Sequence, residues 1–335
     1  MALIDFPLIE NYGDAAAEAK ACRTHCALFD FSFLECVRLA GTRARRTVET
    51  FTGRSMAALA EGQIFYALRV DSHGNAVADL TIWRTGHESF EVMSGRREDA
   101  AALLGLTGAG LDGADMSGAR AVFAIQGPAS LAALLRLGVS GPVERLRYFH
   151  FCSAKIGGIP CTVGRLGYTG AAGFEIVVAR RHACDLWGSL SLHARPAGFV
   201  AADALRIEAG FVLFKNEFRL PVAPQEAGLG KFFRPTAAAR TPSLALISFR
   251  ADARDLHWPW SPSSALKRPT APAEIAVTSA CESELAGGIL GLGYIATSTP
   301  AAASLRDPTG TFSNIRPTAM PFYDTAQQRP GAPRR

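Results

Sequence analysis

Apolar residues recur along this chain at two spacings, and the changes from one to the other mark out its elements. Residues 14–26, rich in alanine, follow the three-to-four spacing of a helix, with Asp14 placed after Gly13 to cap it. Residues 36–40 predict a strand and 42–51 a helix. Residues 64–70 and 76–84 alternate as strands, joined by Asp71-Ser72-His73-Gly74-Asn75, where Gly and Asn both tolerate positive φ. Residues 89–93 predict a third strand and 97–104 a helix.

A second block repeats these types. Residues 121–125 form a strand pattern, and 128–137 a helix with Pro128 near its start. Two apolar runs, 161–163 and 174–178, flank a glycine-rich turn, and helices are expected over 182–192 and 202–213, the latter capped by Asp203. Such irregular mixing predicts an α+β fold rather than a doubly wound parallel sheet. After residue 233 the composition changes. Residues 234–243 hold the Ala, Pro and Thr of a linker, and 244–325 carry short strand patterns at 244–249, 275–278, 289–296 and 311–316, an all-β module. Residues 326–335 are expected to be a disordered tail.

With 335 residues, 48% of them hydrophobic and 19% charged, the chain is globular in composition and long enough for more than one core. No apolar run approaches the roughly 18 residues of a membrane span. The N-terminus carries Asp5 where a signal peptide needs positive charge, so a cytoplasmic protein is expected. The net charge is +5, but 30 of the 35 basic residues are arginines dispersed along the chain. Nucleic acid, which selects a clustered basic stripe, is therefore not an expected partner. Seven cysteines stand apart without a CxxC pair, as in reduced proteins. Cys22 and Cys26, one helical turn apart beside His25, read as a packed helix face in preference to metal ligands, and no metal is expected.

Candidate chemistry concentrates in three places. The run from Arg165 to Glu175 holds Gly167, Gly170 and Gly173, which permit tight turns and a close backbone approach to something flat. Glu175 follows within the apolar strand. It is either an ion-paired or solvated strand residue, or a carboxylate that receives two adjacent N–H donors from a ligand. Asp79 shares a strand face with Val77, Thr81 and Trp83, where it is either an exposed edge acid or a fixed negative charge in a site. Asp203, Arg206 and Glu208 lie in a helix whose simplest reading is packing.

Together these segments resemble, in order, the glycine-cleavage T-protein (aminomethyltransferase) superfamily. Leu28, Phe29, Asp30 and Ser32 are similar to its LFD-x-S, and Gly74 to Leu80 to its GG-x-x-DDL hairpin. Gln126-Gly127-Pro128 matches its QGP turn, and Gly167 to Glu175 its GYTGEDGFE. Arg206 to Gly210 resembles RLEAG, Glu226 to Gly230 EAGLG, Val277 to Ser279 the start of VTSG, and Pro321 to Asp324 PFYDP. The resemblance implies three modules around a central tetrahydrofolate site, two intertwined within residues 1–233 and a small β-barrel over 244–325. It places Asp79 as the catalytic acid beside the reactive edge of the folate, Glu175 on the pterin's N–H edge, and Tyr66 and Tyr168 as aromatic lining, with Gly167, Gly170 and Gly173 shaping the cofactor site.

Departures from the family pattern fall mainly on the donor side. Ala78 and Ala202 stand where the family has aspartate and arginine, and Phe33-Leu34-Glu35 replaces the HMG of its SHMG. The function expected is tetrahydrofolate-dependent transfer of a methyl or aminomethyl group, from a small methylated donor rather than the lipoyl carrier of glycine cleavage. An ordinary aminomethyltransferase, or a non-catalytic folate-binding subunit of a heteromeric amine oxidase, are the alternatives. Other one-carbon or amine-oxidising proteins are the expected partners.

Overall fold

The structure is a computed structural model that describes residues 8–233, 241–253, 256, 260, 262, 266–300 and 303–323. The expected tail and most of the expected linker lie outside these residues. The chain runs α1 (Ala15–Thr24), β1 (Ala27–Asp30), β2 (Glu35–Ala40), α2 (Ala44–Thr52), β3 (Ile64–Val70), β4 (Ala76–Gly86), β5 (Ser89–Ser94), α3 (Arg97–Leu104) and β6 (Asp112–Asp115). It continues through β7 (Arg120–Gln126), α4 (Ser130–Arg136), β8 (Phe151–Ile156), β9 (Ile159–Gly164), β10 (Gly173–Ala179), α5 (Ala183–Ser191) and β11 (Arg195–Ala197). It ends with α6 (Phe199–Ala209), α7 (Phe214–Glu217), β12 (Leu244–Ala253), β13 (Ile275–Ser283), β14 (Gly288–Ala296) and β15 (Phe312–Pro317). The expected α+β mixture is what these elements build.

Three sheets result. The first, in the order β11-β1-β7-β10-β9-β8, is antiparallel except where β1 runs parallel to β11. Both its faces are buried, which is why β7 and β10 read as almost unbroken apolar runs. Phe123, Ile125, Phe174, Ile176 and Val178 pack outward under Leu134 of α4 and Leu186 and Leu190 of α5. Val122, Ala124 and Val177 face inward, toward Trp83 and Met93 of the second sheet and Leu205 of α6.

The second sheet has the order β3-β4-β5-β2-β6. One face packs Ala67, Ala78, Leu80, Ile82 and Val92 against α2 and α3. Because side chains alternate along a strand, Tyr66, Asp79, Thr81 and Met93 project from the opposite face, toward the first sheet. The hairpin between β3 and β4 closes through Asp71 N to Asn75 O at 2.9 Å, with Gly74 at φ 78°. Gly74 alone takes the left-handed conformation; Asn75 instead bonds Asp71 Oδ2 through its side-chain amide.

The third sheet, β13-β14-β12-β15, is antiparallel and four-stranded. The expected barrel takes the form of this sheet together with single bridges from Leu305 to Ile315 and from Arg306 to Glu274. It packs on α6 through Ile207, Cys281, Leu290 and Phe322.

Two local expectations are corrected. Helix α6 starts at Phe199, not beside Asp203, because the segment before α1 satisfies its first donors: Phe199 N reaches Ile9 O at 2.9 Å and Val200 N reaches Glu10 O at 3.0 Å. Gly198 N is held by Glu18 Oε2 at 2.9 Å, so Asp203 lies in mid-helix. Cys22 and Cys26 do not share a helix face, since α1 ends at Thr24; Cys22 packs in the inner core and Cys26 in the outer one.

Candidate functional site

Between the inner faces of the first two sheets lies a cavity of about 620 Å³, closed further by α6, the Phe211–Phe214 segment and the third sheet. Tyr66, Asp79, Gly167, Tyr168, Gly170 and Glu175 all line it. Residues more than 90 positions apart thus meet at one place because two sheets turn one face each toward the other. Gly173, the remaining sequence candidate, is not part of the wall.

Glu175 stands on the inner face of β10, opposite Ala124 of β7 and Gly164 of β9. A methyl at Gly164 would meet Trp83 Cη2 at 2.3 Å, so the indole already fills the space on that side. Glu175 is buried, 7% exposed, and its carboxylate has no hydrogen bond or ion pair among the described residues, so desolvation alone acts on it. Desolvation raises its pKa from 4.5 to about 7. Tyr148 faces it across the cavity; burial, and then the Glu175 charge, push that phenol up to about 12.

Asp79 belongs to an interior strand, between β3 and β5, and is therefore not an edge acid. Tyr66 Oη donates to its Oδ2 at 3.4 Å. Burial raises the Asp79 pKa to about 6; Glu217 adds to the rise, and the Tyr66 hydrogen bond and Arg206 oppose it. Tyr66 is clasped in turn by Arg54, which donates to its carbonyl, and packs edge-on against Phe232 at 4.9 Å.

Behind Asp79 lies a buried ion network that the sequence reading passed over as packing. Arg206 Nε bonds Asp203 Oδ1 at 2.8 Å, and Nη1 bonds Glu217 Oε2 at 2.9 Å. Its Nη2 donates to Ser279 Oγ at 2.7 Å. Thr278 and Ser279 both donate to Glu217 Oε1, at 2.8 and 2.5 Å. They reach it because β13 shifts register between Val277 and Ser279, and such a bulge re-aims side chains. A second buried pair, Arg23 with Glu208, joins α1 to α6: Arg23 Nη2 lies 2.8 Å from Glu208 Oε2, and Nη1 donates to Thr169 O at 2.7 Å. The signal was present in the sequence. Three charges inside a helix otherwise apolar on every side must be buried, and buried charges require partners.

The glycine-rich turn is organised around a protein side chain rather than a ligand. Gln126 occupies its centre, donating to Leu166 O at 3.2 Å and Phe174 O at 3.4 Å, and accepting from Thr169 Oγ1 at 3.1 Å. A methyl at Gly167 would lie 1.9 Å from Gln126 Oε1, and one at Gly173 would lie 2.5 Å from its Cδ. Gly170, at φ 74°, faces Ala209. Tyr168 emerges from this turn, donates to Val212 O and stacks on Phe211 at 6.1 Å.

The two family departures do not share a pocket. Ala202 lines the cavity, whereas Ala78 is fully buried on the other face of β4, in the core under α2 and α3. The period-two alternation that aims Asp79 at the cavity aims its neighbour away from it. Phe31, Phe33 and Leu34 line the cavity, with Phe31 and Phe33 packed edge-on at 5.8 Å.

Two carboxylates on facing sheets, Asp79 and Glu175, and several aromatic rings thus line one cavity in a protein of mixed α/β architecture. Residues 9–236 match the family model of the GCVT N-terminal domain, more than half of the chain, and the chain belongs to that family, the glycine-cleavage T-proteins. It is 36% identical over 236 residues to an aminomethyltransferase of Rubrobacter xylanophilus, a match that covers 68% of this chain and 63% of that protein. It is 31% identical over 347 residues to the mitochondrial aminomethyltransferase of Gallus gallus, covering 94% of this chain and 86% of that one. The match to the Streptomyces coelicolor aminomethyltransferase likewise spans 63% of its length. Among solved structures, the glycine cleavage system aminomethyltransferase T from Bartonella henselae superposes with a TM-score of 0.78 at 22% identity, covering 96% of this chain and 93% of that one, and so shares the fold. Among the described residues, no helix is long and apolar enough to cross a membrane.

Proposed function

We propose that this chain binds tetrahydrofolate in the central cavity and carries a one-carbon unit to or from it. The observation that carries the reading is the Glu175 carboxylate, buried on a cavity wall with no donor among the described residues. A buried acceptor of this kind is stabilised by a ligand that brings two adjacent N–H groups, as the edge of a pterin does. The rings of Tyr148, Tyr168 and Phe31 around the cavity suit a flat heterocycle.

Tetrahydrofolate, when bound, supplies the nitrogen that gains or loses the one-carbon unit. The chain's part is to orient and to stabilise charge. Glu175 fixes the heterocycle, and Asp79, ionised above its raised pKa of about 6, offers negative charge where the transferred carbon becomes positive. Tyr66 holds the Asp79 carboxylate in place through its hydroxyl.

For the donor, the reading favoured is a small methylated or aminomethyl compound. Its support is Ala202, a small apolar wall residue, and no longer Ala78. Incubating the protein with tetrahydrofolate and either methylated amines or an aminomethylated lipoyl carrier, and measuring the folate one-carbon adducts, tests both levels. Transfer from the small donors is expected. Transfer from the lipoyl carrier alone would overturn the donor assignment. No transfer from any donor, with folate still bound, would favour a non-catalytic folate-binding subunit.

A further inference from the structure

The cavity carries one charge that neither the heterocycle nor the transferred carbon calls for. Its lining contains the cations Arg23 and Lys231. Arg23 is consumed by its buried pair with Glu208. Lys231 is exposed, and among the described residues its ammonium contacts no carboxylate, only the ring of Phe232 at 5.0 Å.

Lys231 is nonetheless held at a defined place. It sits in a single 3₁₀ turn, Gly230–Phe232, whose aromatic residues are planted on both sides. Phe233 packs so closely on the end of α2 that a methyl at Gly53 would meet its Cε2 at 2.3 Å. Phe232 packs against Tyr66, and Tyr66 bonds Asp79. The turn that carries Lys231 is therefore anchored near the Asp79 end of the cavity, and the ammonium extends from it over the Phe232 ring. The cavity is bipolar, with acids inside and, at its edge, a cation that has no carboxylate partner among the described residues.

We propose that Lys231 receives a carboxylate of the bound ligand. The proposal rests on the folate reading and deepens it. The carboxylate has two possible sources, the glutamyl tail of tetrahydrofolate or an acidic group on the donor; both place an anion outside and an amine or heterocycle within.

The test compares wild type with Lys231→Met, Lys231→Arg and Lys231→Glu. Binding of tetrahydrofolate is set beside binding of tetrahydropterin, which lacks the tail, and KM for a carboxylated methylamine beside that for the corresponding amide, which lacks the carboxylate. An exposed ion pair of this kind is worth up to about 5-fold, more on charge reversal, and should weaken with added salt. If the tail is held, Lys231→Met loses affinity for tetrahydrofolate and not for tetrahydropterin. If the donor is held, folate affinity is unchanged and KM rises for the acid but not the amide. In either case Lys231→Arg retains binding and Lys231→Glu is worst. Equal effects on tailed and tailless ligands and on acid and amide, or no effect on any, would overturn the assignment while leaving the folate site standing. Wild type that binds neither reduced pterin would remove the folate reading, and this proposal with it.

Discussion

Replacing Glu175 by Gln changes one charge and almost no volume, so it isolates the cost of ionising a buried acid. Burial raises the Glu175 pKa from the ordinary 4.5 to about 7. A folded-state pKa above the unfolded value means that the stability linked to this group is fully present below pH 4.5 and is lost as the pH rises through about 7. Each pKa unit corresponds to about 1.4 kcal/mol, so the ligand-free wild type should lose about 3 kcal/mol relative to Glu175→Gln between pH 4 and pH 8. The difference between the two proteins cancels most of the titration of other groups. Urea denaturation of both, without ligand, at intervals across that range measures it. The variant should gain on the wild type as the pH rises. Saturating tetrahydrofolate should return the advantage to the wild type, because a bound N–H edge stabilises the charge. A difference that stays flat with pH would refute the claim that this carboxylate is desolvated and unpartnered.

Three further outcomes follow from the same geometry. Asp79→Asn should keep tetrahydrofolate affinity within a few-fold while turnover falls by roughly 10²-fold or more, and wild-type turnover should rise with pH through about 6 as Asp79 ionises; steady-state kinetics and calorimetry check both. Arg206→Met leaves Asp203 and Glu217 buried without their cation and should cost about 3–5 kcal/mol in chemical denaturation, and Arg206→Lys should restore little because it lacks the planar fork. Gly170→Ala combines a φ of 74° with a contact of 2.5 Å to Ala209 Cβ and should lower stability by about 1–3 kcal/mol, read as a lower thermal midpoint.

The local elements were legible because period-two and helical spacings report burial directly. Helix α3 falls at residues 97–104 as expected, and the hairpin of β3 and β4 closes where Gly74 permits. Asp79 and Glu175 stood out as acids in apolar strands, and both line the cavity. What the local pattern could not carry was tertiary satisfaction. The start of α6 depends on carbonyls of Ile9 and Glu10, some 190 residues upstream, so Asp203 was misplaced as a cap. Gly167 and Gly173 were assigned to a flat ligand when their constraint is Gln126, a contact between distant segments. Ala78 was grouped with Ala202 by family position, although strand alternation alone would have put it on the opposite face from Asp79. The apolar periodicity around Arg206 does not by itself separate a packed helix from a buried ion network; the three charges it encloses, Asp203, Arg206 and Glu208, are the signal that does.

The central claim is that Glu175 holds a folate heterocycle, and calorimetric titration of tetrahydrofolate into wild type and Glu175→Ala tests it most directly. Removing the carboxylate removes two charge-assisted hydrogen bonds, on the order of 1.5–3 kcal/mol each. Binding to the wild type should be saturable, and the folded variant should lose about 10²-fold or more in affinity. Equal affinity in the two proteins would contradict the claim.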